Sequence, residues 1–191
     1  MLQRYTDNSP SKRAVFLDRD GVINAATVKD GRTYAPSSLA QFRILSGVPQ
    51  AVRSLRAAGF MVIVATNQPD MAKNKRQKLV IEKMHQHLQD VLPVDEIRVC
   101  AHVDEDHCIC RKPKPGLLKE AATSWEIDLH QSFMVGDTWR DIGAGKAAGC
   151  TTILIANPFA GQLTASPDHI ASTLLEASDF IIACEEDKTS Q

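Results

Sequence analysis

The sequence "AVFLDRDGVIN", residues 14–24, starts as a short run of apolar residues and continues directly into a charged, glycine-containing segment. An uninterrupted apolar run of this length is typical of a strand that is covered on both faces of a parallel sheet. Asp18 and Asp20 follow at the point where such a strand would end. Open parallel sheets bind ligands beyond the carboxyl ends of their strands. We therefore expect Asp18 and Asp20 to lie in a binding crevice.

Four further apolar runs resemble the first and alternate with segments of helical periodicity. The strand-like runs are "FMVIVAT" (60–66), "EIRVC" (96–100), "SFMVGD" (132–137) and "TTILIA" (151–156). The helical segments cover residues 46–59, 75–92, 114–127 and 138–149, two of which end at a glycine. This order predicts an α/β fold, a Rossmann-like three-layer sandwich with a mainly parallel central sheet and right-handed crossovers.

The length of the chain bounds its domain organisation. With 191 residues, the chain is expected to form one domain with one active site. We predict a flexible N-terminal segment over residues 1–13, a single domain over 14–183 and a flexible polar tail over 184–191. Residues 22–46 are too many for a tight turn, so we expect a flap over the site there, with no large cap domain.

The charge balance limits the classes of partner. The chain has 22 Lys and Arg against 23 Asp and Glu, so it carries no general positive field that would collect nucleic acid. The basic run 73–78, "KNKRQK", is interpreted as a solvated helix face. No apolar run approaches the roughly 20 residues needed to span a bilayer, and the first residues lack the apolar centre of a signal peptide. We expect a cytoplasmic monomer without nucleic-acid or membrane partners.

Polar residues end several of the predicted strands. Thr66 and Asn67 follow the second strand, and Asp137 follows the fourth. Together with Asp18 and Asp20, Asp137 would form a cluster of hard oxygen ligands that suits Mg²⁺, and such a cation attracts phosphate. Taken singly, each aspartate is equally typical of a turn or a helix cap, and Thr66 of a strand end. Three aspartates at strand ends together favour a metal and phosphate site.

Four motifs resemble, in order and spacing, those of the haloacid-dehalogenase-like phosphohydrolases. They are "VFLDRDGVIN" (15–24), "VATNQ" (64–68), "CRKPKPG" (110–116) and "MVGDTWRDIGAGKAAG" (134–149). The resemblance covers residues 14–156, and the four motifs together are far more specific than an isolated pair of aspartates. The similarity is greatest to the zinc-containing subgroup of D,D-heptose 1,7-bisphosphate phosphatases and histidinol-phosphate phosphatases.

The resemblance implies a catalytic role for five residues. Asp18 would be the nucleophile that forms an aspartyl-phosphate, and Asp20 would act first as an acid and then as a base. Mg²⁺ would be held by Asp18, Asp137 and the main-chain carbonyl of Asp20. Thr66 and Lys112 would hold the remaining phosphoryl oxygens.

The resemblance also implies supporting and substrate-binding residues. Gly21 would allow the backbone to approach the phosphate closely, and Asp141 would support the catalytic metal ligand and lysine from behind. Substrate contacts are expected from Asn67, Gln68 and Arg111. Arg111 resembles the substrate-recognising arginine of the heptose enzymes, which would grip a second phosphate.

The segment "VCAHVDEDHCICRKPKPG", residues 99–116, contains three of the five cysteines of the chain. Cys100, His102, Cys108 and Cys110 have the spacing C-x-H-x5-C-x-C, and three thiolates with one imidazole match a closed structural Zn²⁺ site. His107 could replace His102, although His102 fits the family pattern, and an unmetallated loop of reduced cysteines is the alternative. Zinc would hold this loop so that the basic residues after it project into the crevice.

The substrate is less well determined by the sequence. The small phosphorylated metabolite is expected to be D-glycero-D-manno-heptose 1,7-bisphosphate, with histidinol phosphate as the alternative. The segment "TNQPDMAKNK" (66–75) and Thr138 depart from the heptose enzymes, whereas the short zinc loop fits the histidinol-phosphate enzymes equally well. A polynucleotide 3′-phosphatase is disfavoured by the near-neutral charge, and a non-catalytic scaffold by the presence of every expected catalytic residue.

Overall fold

The computed structural model of the protein describes residues 11–29 and 32–189. Its strands are β1 (Ala14–Leu17), β2 (Thr27–Lys29), β3 (Arg32–Tyr34), β4 (Met61–Asn67), β5 (Glu96–Cys100), β6 (Phe133–Gly136), β7 (Thr151–Ile155) and β8 (His169–Ala171). Its helices are α1 (Val48–Ala57), α2 (Asp70–Lys73), α3 (Lys75–Val91), α4 (Gly116–Trp125), α5 (Trp139–Ala148) and α6 (Leu174–Thr189). Among the described residues, no helix is both long enough and apolar enough to cross a membrane.

Within this described part, six parallel strands form the main sheet in the order β5-β4-β1-β6-β7-β8. The chain builds outward from β1 through β4 to β5, and then returns to the other side of β1 for β6, β7 and β8. The order therefore reverses at β1, and a crevice opens beyond its carboxyl end, between the ends of β4 and β6. The predicted α/β fold with a parallel central sheet is confirmed.

The sheet is covered on both faces, which explains the uninterrupted apolar runs of its strands. Val15 and Leu17 pack into a core shared with α1, α3 and α6, whereas Ala14 and Phe16 pack into a second core beneath α4. All four side chains are completely buried. Because successive residues of a strand point to opposite faces, both faces must be apolar when helices cover each side. The three-layer arrangement predicted from the sequence follows from this requirement.

Each of the five predicted strands and four predicted long helices is present, with boundaries that shift by at most two residues. Asn74 illustrates how a helix begins, because its side chain accepts a hydrogen bond of 3.0 Å from the main-chain N–H of Gln77 at the start of α3. No element is predicted over residues 157–183, where the structure has β8 and the first part of α6. β8 has only three residues and an exposed Ile170, so its apolar pattern is too short to be recognised.

The predicted boundaries of the terminal segments differ from the structure. α6 continues through residue 184 to Thr189, so the start of the predicted tail is helical. The helix is tied down there because Glu185 forms an ion pair with Arg13. Of the predicted N-terminal segment, residues 1–10 lie outside the described residues, whereas Lys12 exchanges main-chain hydrogen bonds with Glu126 and Asp128.

The segment 22–46 forms part of the wall of the crevice, as expected of a flap. β2 and β3 pair as an antiparallel hairpin outside the main sheet. Val22 and Ile23, at the start of the segment, are buried in the core and anchor it. Ala26, Tyr34 and Ala35 line the crevice. The hairpin supplies one side of the binding pocket without forming a large cap domain.

Candidate active site

A cavity of about 290 Å³ lies at the carboxyl ends of the parallel strands. It brings together nearly all of the residues that the sequence predicts for the active site. The predicted residues that line it are Asp18, Asp20, Thr66, Asn67, Gln68, Arg111, Lys112, Asp137 and Asp141. Gly21 lines the neighbouring cavity, together with Asp137 and Asn157. Residues that are more than a hundred positions apart in the chain therefore form one polar site.

Lys112 is the central cation of the cavity. Its side chain is 2% exposed, and its Nζ donates to Asp18 Oδ1 at 2.8 Å and to Asp141 Oδ1 at 2.5 Å. Burial by itself would lower the pKa of Lys112, but the negative charges of Asp141 and Asp18 outweigh burial and raise the pKa well above its ordinary value. Lys112 is therefore charged at neutral pH and presents an ammonium group to the cavity.

Asp137 is a buried carboxylate with one unpaired oxygen. Its Oδ2 accepts a hydrogen bond from Asn157 Nδ2 at 2.7 Å, whereas Oδ1 is buried without a hydrogen-bond partner. Burial, followed by the charges of Asp18 and Asp141, raises its pKa to about 8. Burial also raises the pKa of Asp18, to about 6, against the opposing effect of Lys112. A cation between Asp18 and Asp137 would relieve this accumulation of negative charge.

The carboxylates of Asp18, Asp137 and Asp141 each offer an oxygen within 4.8 Å of the others. Asp141 already uses both oxygens, since Oδ1 accepts from Lys112 and Oδ2 accepts from the Thr138 hydroxyl at 2.6 Å and main-chain N–H at 3.0 Å. Asp18 and Asp137 therefore remain available as metal ligands. Hard carboxylate oxygens, a crowded negative site and an unpaired buried oxygen all fit Mg²⁺.

Gly21 makes close packing around this site possible. Its backbone has φ +92°, and a Cβ at this position would lie 2.1 Å from Asp137 Oδ2. Any other residue would be strained in its backbone and would also displace the carboxylate. The glycine thus allows the loop after β1 to contact the proposed metal ligand directly.

Asp20 is held from three sides. Arg19 donates to both of its oxygens, with N···O distances of 2.8–3.2 Å. Asn24 Nδ2 donates to Oδ1 at 2.9 Å, and Gln68 Nε2 donates to Oδ2 at 2.7 Å. A carboxyl group with this many donors has a fixed orientation at the wall of the cavity.

Asn67 and Gln68, which were predicted to contact substrate, hold the framework of the site together. The side-chain amide of Asn67 exchanges two hydrogen bonds of 3.1 Å with the main chain of Lys112. Gln68 is 2% exposed, and its Nε2 donates to Thr66 Oγ1 at 2.9 Å in addition to Asp20. Because the Thr66 oxygen accepts from Gln68, its own hydrogen is directed elsewhere and is available to a ligand in the cavity.

The cysteine-rich segment forms a second candidate metal centre at the side of the cavity. The sulfur atoms of Cys100, Cys108 and Cys110 lie 3.2–3.7 Å apart, and His102 Nδ1 lies 3.5 Å and 3.3 Å from Cys100 and Cys110. His107 does not belong to this cluster, and its backbone is left-handed with φ 49°. The structure therefore assembles the four residues that the sequence predicts, including His102.

The distances in this cluster fit a tetrahedral ion. Thiolates about 2.3 Å from a tetrahedral Zn²⁺ are roughly 3.7 Å from one another, close to the longest of the sulfur distances. Burial, followed by the neighbouring sulfur atoms, raises the pKa of Cys110 to about 12. Burial acts to raise the pKa of Cys108 as well, but several hydrogen bonds to its sulfur together outweigh burial and lower the pKa. The strongest of them comes from the main-chain N–H of Arg111. Three clustered sulfur atoms without a cation cannot all be thiolates, so the donor set is suited to a bound metal.

Two arginines meet on one carboxylate at the rim of the cavity. Arg111 Nε donates to Asp104 Oδ1 at 2.7 Å, and its Nη1 donates to the main-chain carbonyl of His102 at 2.9 Å. Arg140 Nη2 lies 3.4 Å from Asp104 Oδ2, and Arg140 Nε is buried without a partner. Both arginines line the same cavity as Asp18. The rim therefore holds two positive charges close to an exposed carboxylate.

Several residues at the site were not predicted from the sequence. Arg140 lies within the quoted fourth motif but was not assigned a role. Asn157 follows β7 directly, so the rule that strand ends carry ligands would have identified it. Arg19 lies between the two aspartates of the first motif, and His85 occupies the middle of α3, where no local signal marks it.

An aspartate cluster, a buried lysine and a hydroxyl at the switch point of a parallel sheet are suited to binding a divalent cation and a phosphoryl group. Residues 109–177 match the family model described as HAD-hydrolase-like. The D-glycero-beta-D-manno-heptose-1,7-bisphosphate 7-phosphatase of Rhodopseudomonas palustris is 33% identical over 156 residues, which cover 75% of this chain and 83% of that protein. The chain belongs to the haloacid-dehalogenase-like phosphatases.

Other relatives agree with this assignment. The phosphatase of the same name from Pasteurella multocida is 37% identical over 148 residues, which cover 72% of this chain and 77% of the relative. The crystal structure of the D,D-heptose 1,7-bisphosphate phosphatase of B. bronchiseptica, complexed with magnesium and phosphate, superimposes with a TM-score of 0.74 at 30% identity. The superposition covers 90% of this chain and 98% of that structure.

Proposed function

We propose that this phosphatase removes the 7-phosphate of D-glycero-D-manno-heptose 1,7-bisphosphate in a Mg²⁺-dependent reaction. The relatives from Rhodopseudomonas palustris and Pasteurella multocida carry that activity in their names. The observation that carries the proposal is a pair of cationic groups in one cavity, since Lys112 lies beside the aspartates and Arg111 with Arg140 lies at the rim. A bisphosphate has two anionic ends for these two groups.

The phosphoryl group is transferred first to Asp18. Its carboxylate attacks phosphorus, the bond to the sugar oxygen breaks, and an aspartyl-phosphate results. Asp18 and Asp137 would hold Mg²⁺, which would supply positive charge against the phosphoryl oxygens so that two anions can approach one another. Lys112 adds a second positive charge, and the hydroxyl of Thr66 donates to a phosphoryl oxygen.

Asp20 moves the proton in both half-reactions. It first gives a proton to the departing sugar oxygen, and it then takes a proton from water as that water attacks the aspartyl-phosphate. The second attack regenerates the Asp18 carboxylate and releases inorganic phosphate. The hydrogen bonds from Arg19, Asn24 and Gln68 hold the Asp20 carboxyl group in a fixed orientation for these transfers.

Cys100, His102, Cys108 and Cys110 would hold a structural Zn²⁺ that would fix the loop carrying the cationic residues. With four protein ligands such an ion would have no open position for water, so its contribution would be structural. Arg111 and Lys112 follow directly after the last zinc ligand. Fixing Cys110 would therefore position Lys112 for the phosphate that is removed and Arg111 for the second phosphate.

The second phosphate would bind at the rim, where Asp104 is paired with both Arg111 and Arg140. Asp104 is an exposed carboxylate, so it can yield its place to a phosphate that makes more hydrogen bonds and is more strongly charged. Arg140 Nε is a buried donor without an acceptor, and such a group is costly until a ligand oxygen reaches it. An arginine fork matches the oxygens of a phosphate better than a lysine does.

The test compares phosphate release from the heptose bisphosphate, the corresponding heptose 7-phosphate, histidinol phosphate and a 3′-phosphorylated oligonucleotide. We expect the bisphosphate to exceed the others by at least about a hundredfold in kcat/KM, which corresponds to roughly 2.7 kcal/mol. A higher kcat/KM for histidinol phosphate or for the oligonucleotide would refute the heptose bisphosphate as the proposed substrate. The Asp18→Asn variant should be folded and inactive. Residual turnover in this variant would refute the assignment of Asp18 as the nucleophile.

Arg140→Gln provides the specific test of the second anion site. It should raise KM for the bisphosphate by about tenfold or more, because a charge-assisted hydrogen bond is worth about 1.5–3 kcal/mol, and leave the monophosphate unaffected. Arg140→Lys should recover only part of the lost affinity for the bisphosphate, because lysine keeps the positive charge but lacks the two parallel N–H donors of a guanidinium. Equal effects of Arg140→Gln on both substrates would contradict a role in binding the second phosphate.

A further inference from the structure

We propose that His85 on α3 is a positioning residue for Asp20, and that it acts through the buried side chain of Arg19. The inference rests on the proposed function, in which Asp20 is the acid and base of the reaction. None of the four motifs includes His85, which lies 66 residues from Arg19 in the sequence. The structure nevertheless joins His85, Arg19 and Asp20 in one continuous chain of hydrogen bonds.

Arg19 is the first part of this chain. Its side chain is completely buried, although it lies between two catalytic aspartates in the sequence. A buried guanidinium is tolerated only when its donors are paired, and here Nε and Nη2 donate to both oxygens of Asp20. Because the guanidinium is planar and rigid, this forked contact fixes the plane of the Asp20 carboxyl group as well as its position.

His85 pairs with Nη1, the remaining terminal nitrogen of the Arg19 guanidinium. Arg19 Nη1 lies 2.9 Å from His85 Nε2. A guanidinium can only donate, so His85 Nε2 must accept, which places the ring hydrogen on Nδ1 and leaves the ring neutral. Burial, followed by the charge of Arg19, lowers the pKa of His85 to about 4, in agreement with a neutral ring. Without this acceptor, Arg19 would carry a buried and unpaired donor.

The surroundings leave Arg19 little freedom to find another acceptor. His85 lies on the buried face of α3 with Met84 and Leu88, and the Arg19 guanidinium stands 5.8 Å from the ring centre of Phe42. The side chains of Met84, Leu88 and Phe42 carry no oxygen that could accept from the guanidinium. Loss of the His85 acceptor would therefore tilt the guanidinium, and the carboxyl plane of Asp20 would turn with it.

This arrangement predicts a particular kinetic signature. Acid catalysis by Asp20 matters most when the leaving group is a poor one, such as the alkoxide of a sugar or an alkyl phosphate. It matters little for p-nitrophenyl phosphate, whose phenolate leaves without a proton. The base role of Asp20 in hydrolysing the aspartyl-phosphate is common to both substrates and affects kcat, whereas kcat/KM reports only the steps up to departure of the leaving group. A misplaced Asp20 should therefore lower kcat/KM unequally for the two substrates, whereas a general loss of folded enzyme lowers it equally.

The experiment compares His85→Leu with His85→Gln in the full chain, supplied with Mg²⁺ and Zn²⁺. Leucine removes the acceptor, and glutamine restores one. We expect His85→Leu to lower kcat/KM on alkyl phosphates at least about tenfold, within the hundredfold or more that acid catalysis contributes. The loss on p-nitrophenyl phosphate should stay below about threefold, and His85→Gln should recover most of the alkyl phosphate activity.

His87→Leu is the matched control, because His87 lies on the same helix and packs in a T-shaped contact with Phe42, but it does not belong to the chain of hydrogen bonds from His85 to Asp20. It should leave the ratio of the two activities unchanged. An equal loss of kcat/KM on both substrates in His85→Leu would overturn the inference. If His85→Leu does not fold, the ¹⁵N shifts of His85 in the native protein still decide, because a hydrogen on Nε2 would overturn the inference. A wild-type chain without phosphatase activity would instead refute the proposed function.

Discussion

Gly136→Ala tests whether the placement of Asp141 controls catalysis. Gly136 ends β6, and a Cβ at this position would lie only 2.0 Å from the Cβ of Asp141. Ordinary contacts between such atoms begin at 3.4 Å, so Asp141 must retreat by about 1.4 Å. Asp141 is 1% exposed and has bonds of 2.5 Å to Lys112 and 2.6 Å to Thr138, which cannot survive that displacement.

The expected magnitudes follow from this displacement. A shift of about 1 Å in a supporting group lowers turnover roughly a hundredfold, so kcat should fall by at least that factor. Overpacking of a filled site costs about 1–3 kcal/mol, and at roughly 2–4 °C per kcal/mol the Tm should fall by about 2–12 °C. Steady-state phosphate release and thermal unfolding of the same preparation measure the two effects.

Gly145→Ala separates the two effects. Gly145 lies one helical turn after Asp141, but its Cβ would meet Thr152 Cγ2 at 2.6 Å and Met134 Cβ at 2.7 Å, so it overpacks α5 against the sheet and not against the Asp141 side chain. We expect a comparable fall in Tm with nearly normal kcat. If Gly136→Ala retained kcat within about twofold of Gly145→Ala, the reasoning that Asp141 positions Lys112 would be wrong.

Three further predictions concern the metal centres and one surface ion pair. Cys108→Ala should lose bound zinc and Tm together, because metal-binding energy is folding energy at such sites, and a variant with normal Tm would refute the structural role. Asn157→Ala removes the donor to Asp137, so the Mg²⁺ concentration for half-maximal activity should rise about 10–100-fold, which a Mg²⁺ titration measures. Burial raises the pKa of Asp168, but hydrogen bonds from Lys146 and Thr152 outweigh burial and lower it. The ionised group therefore contributes stability above its ordinary pKa of 3.8, and this contribution is lost as pH falls further. Asp168→Asn should accordingly lower Tm at pH 7 and converge with the wild type in acid, and a pH-independent difference would contradict this assignment.

Much of the fold and of the site could be predicted because both follow from local patterns. A strand that is buried on two faces must be apolar throughout, so residues 14–17 and 61–65 are recognisable without knowledge of their partners. Parallel strands bring their carboxyl ends to one edge, so Asp18, Thr66 and Asp137 were expected to meet before any distance was measured. The predicted zinc ligands lie within eleven residues of one another, and short loops allow few other arrangements.

The sequence by itself thus determined the layered α/β fold and the residues at the strand ends, and it predicted the four cysteine and histidine residues that the structure brings together in one cluster. Only the tertiary structure showed that Arg19 turns into the interior to meet His85, and that Arg140 joins Arg111 on Asp104. The physical reason is that periodicity reports which residues avoid water, but it does not report the directions of buried polar side chains. Those directions depend on how α3, α5 and the zinc loop pack around β1, and hydrogen-bond partners for buried charges are found only there.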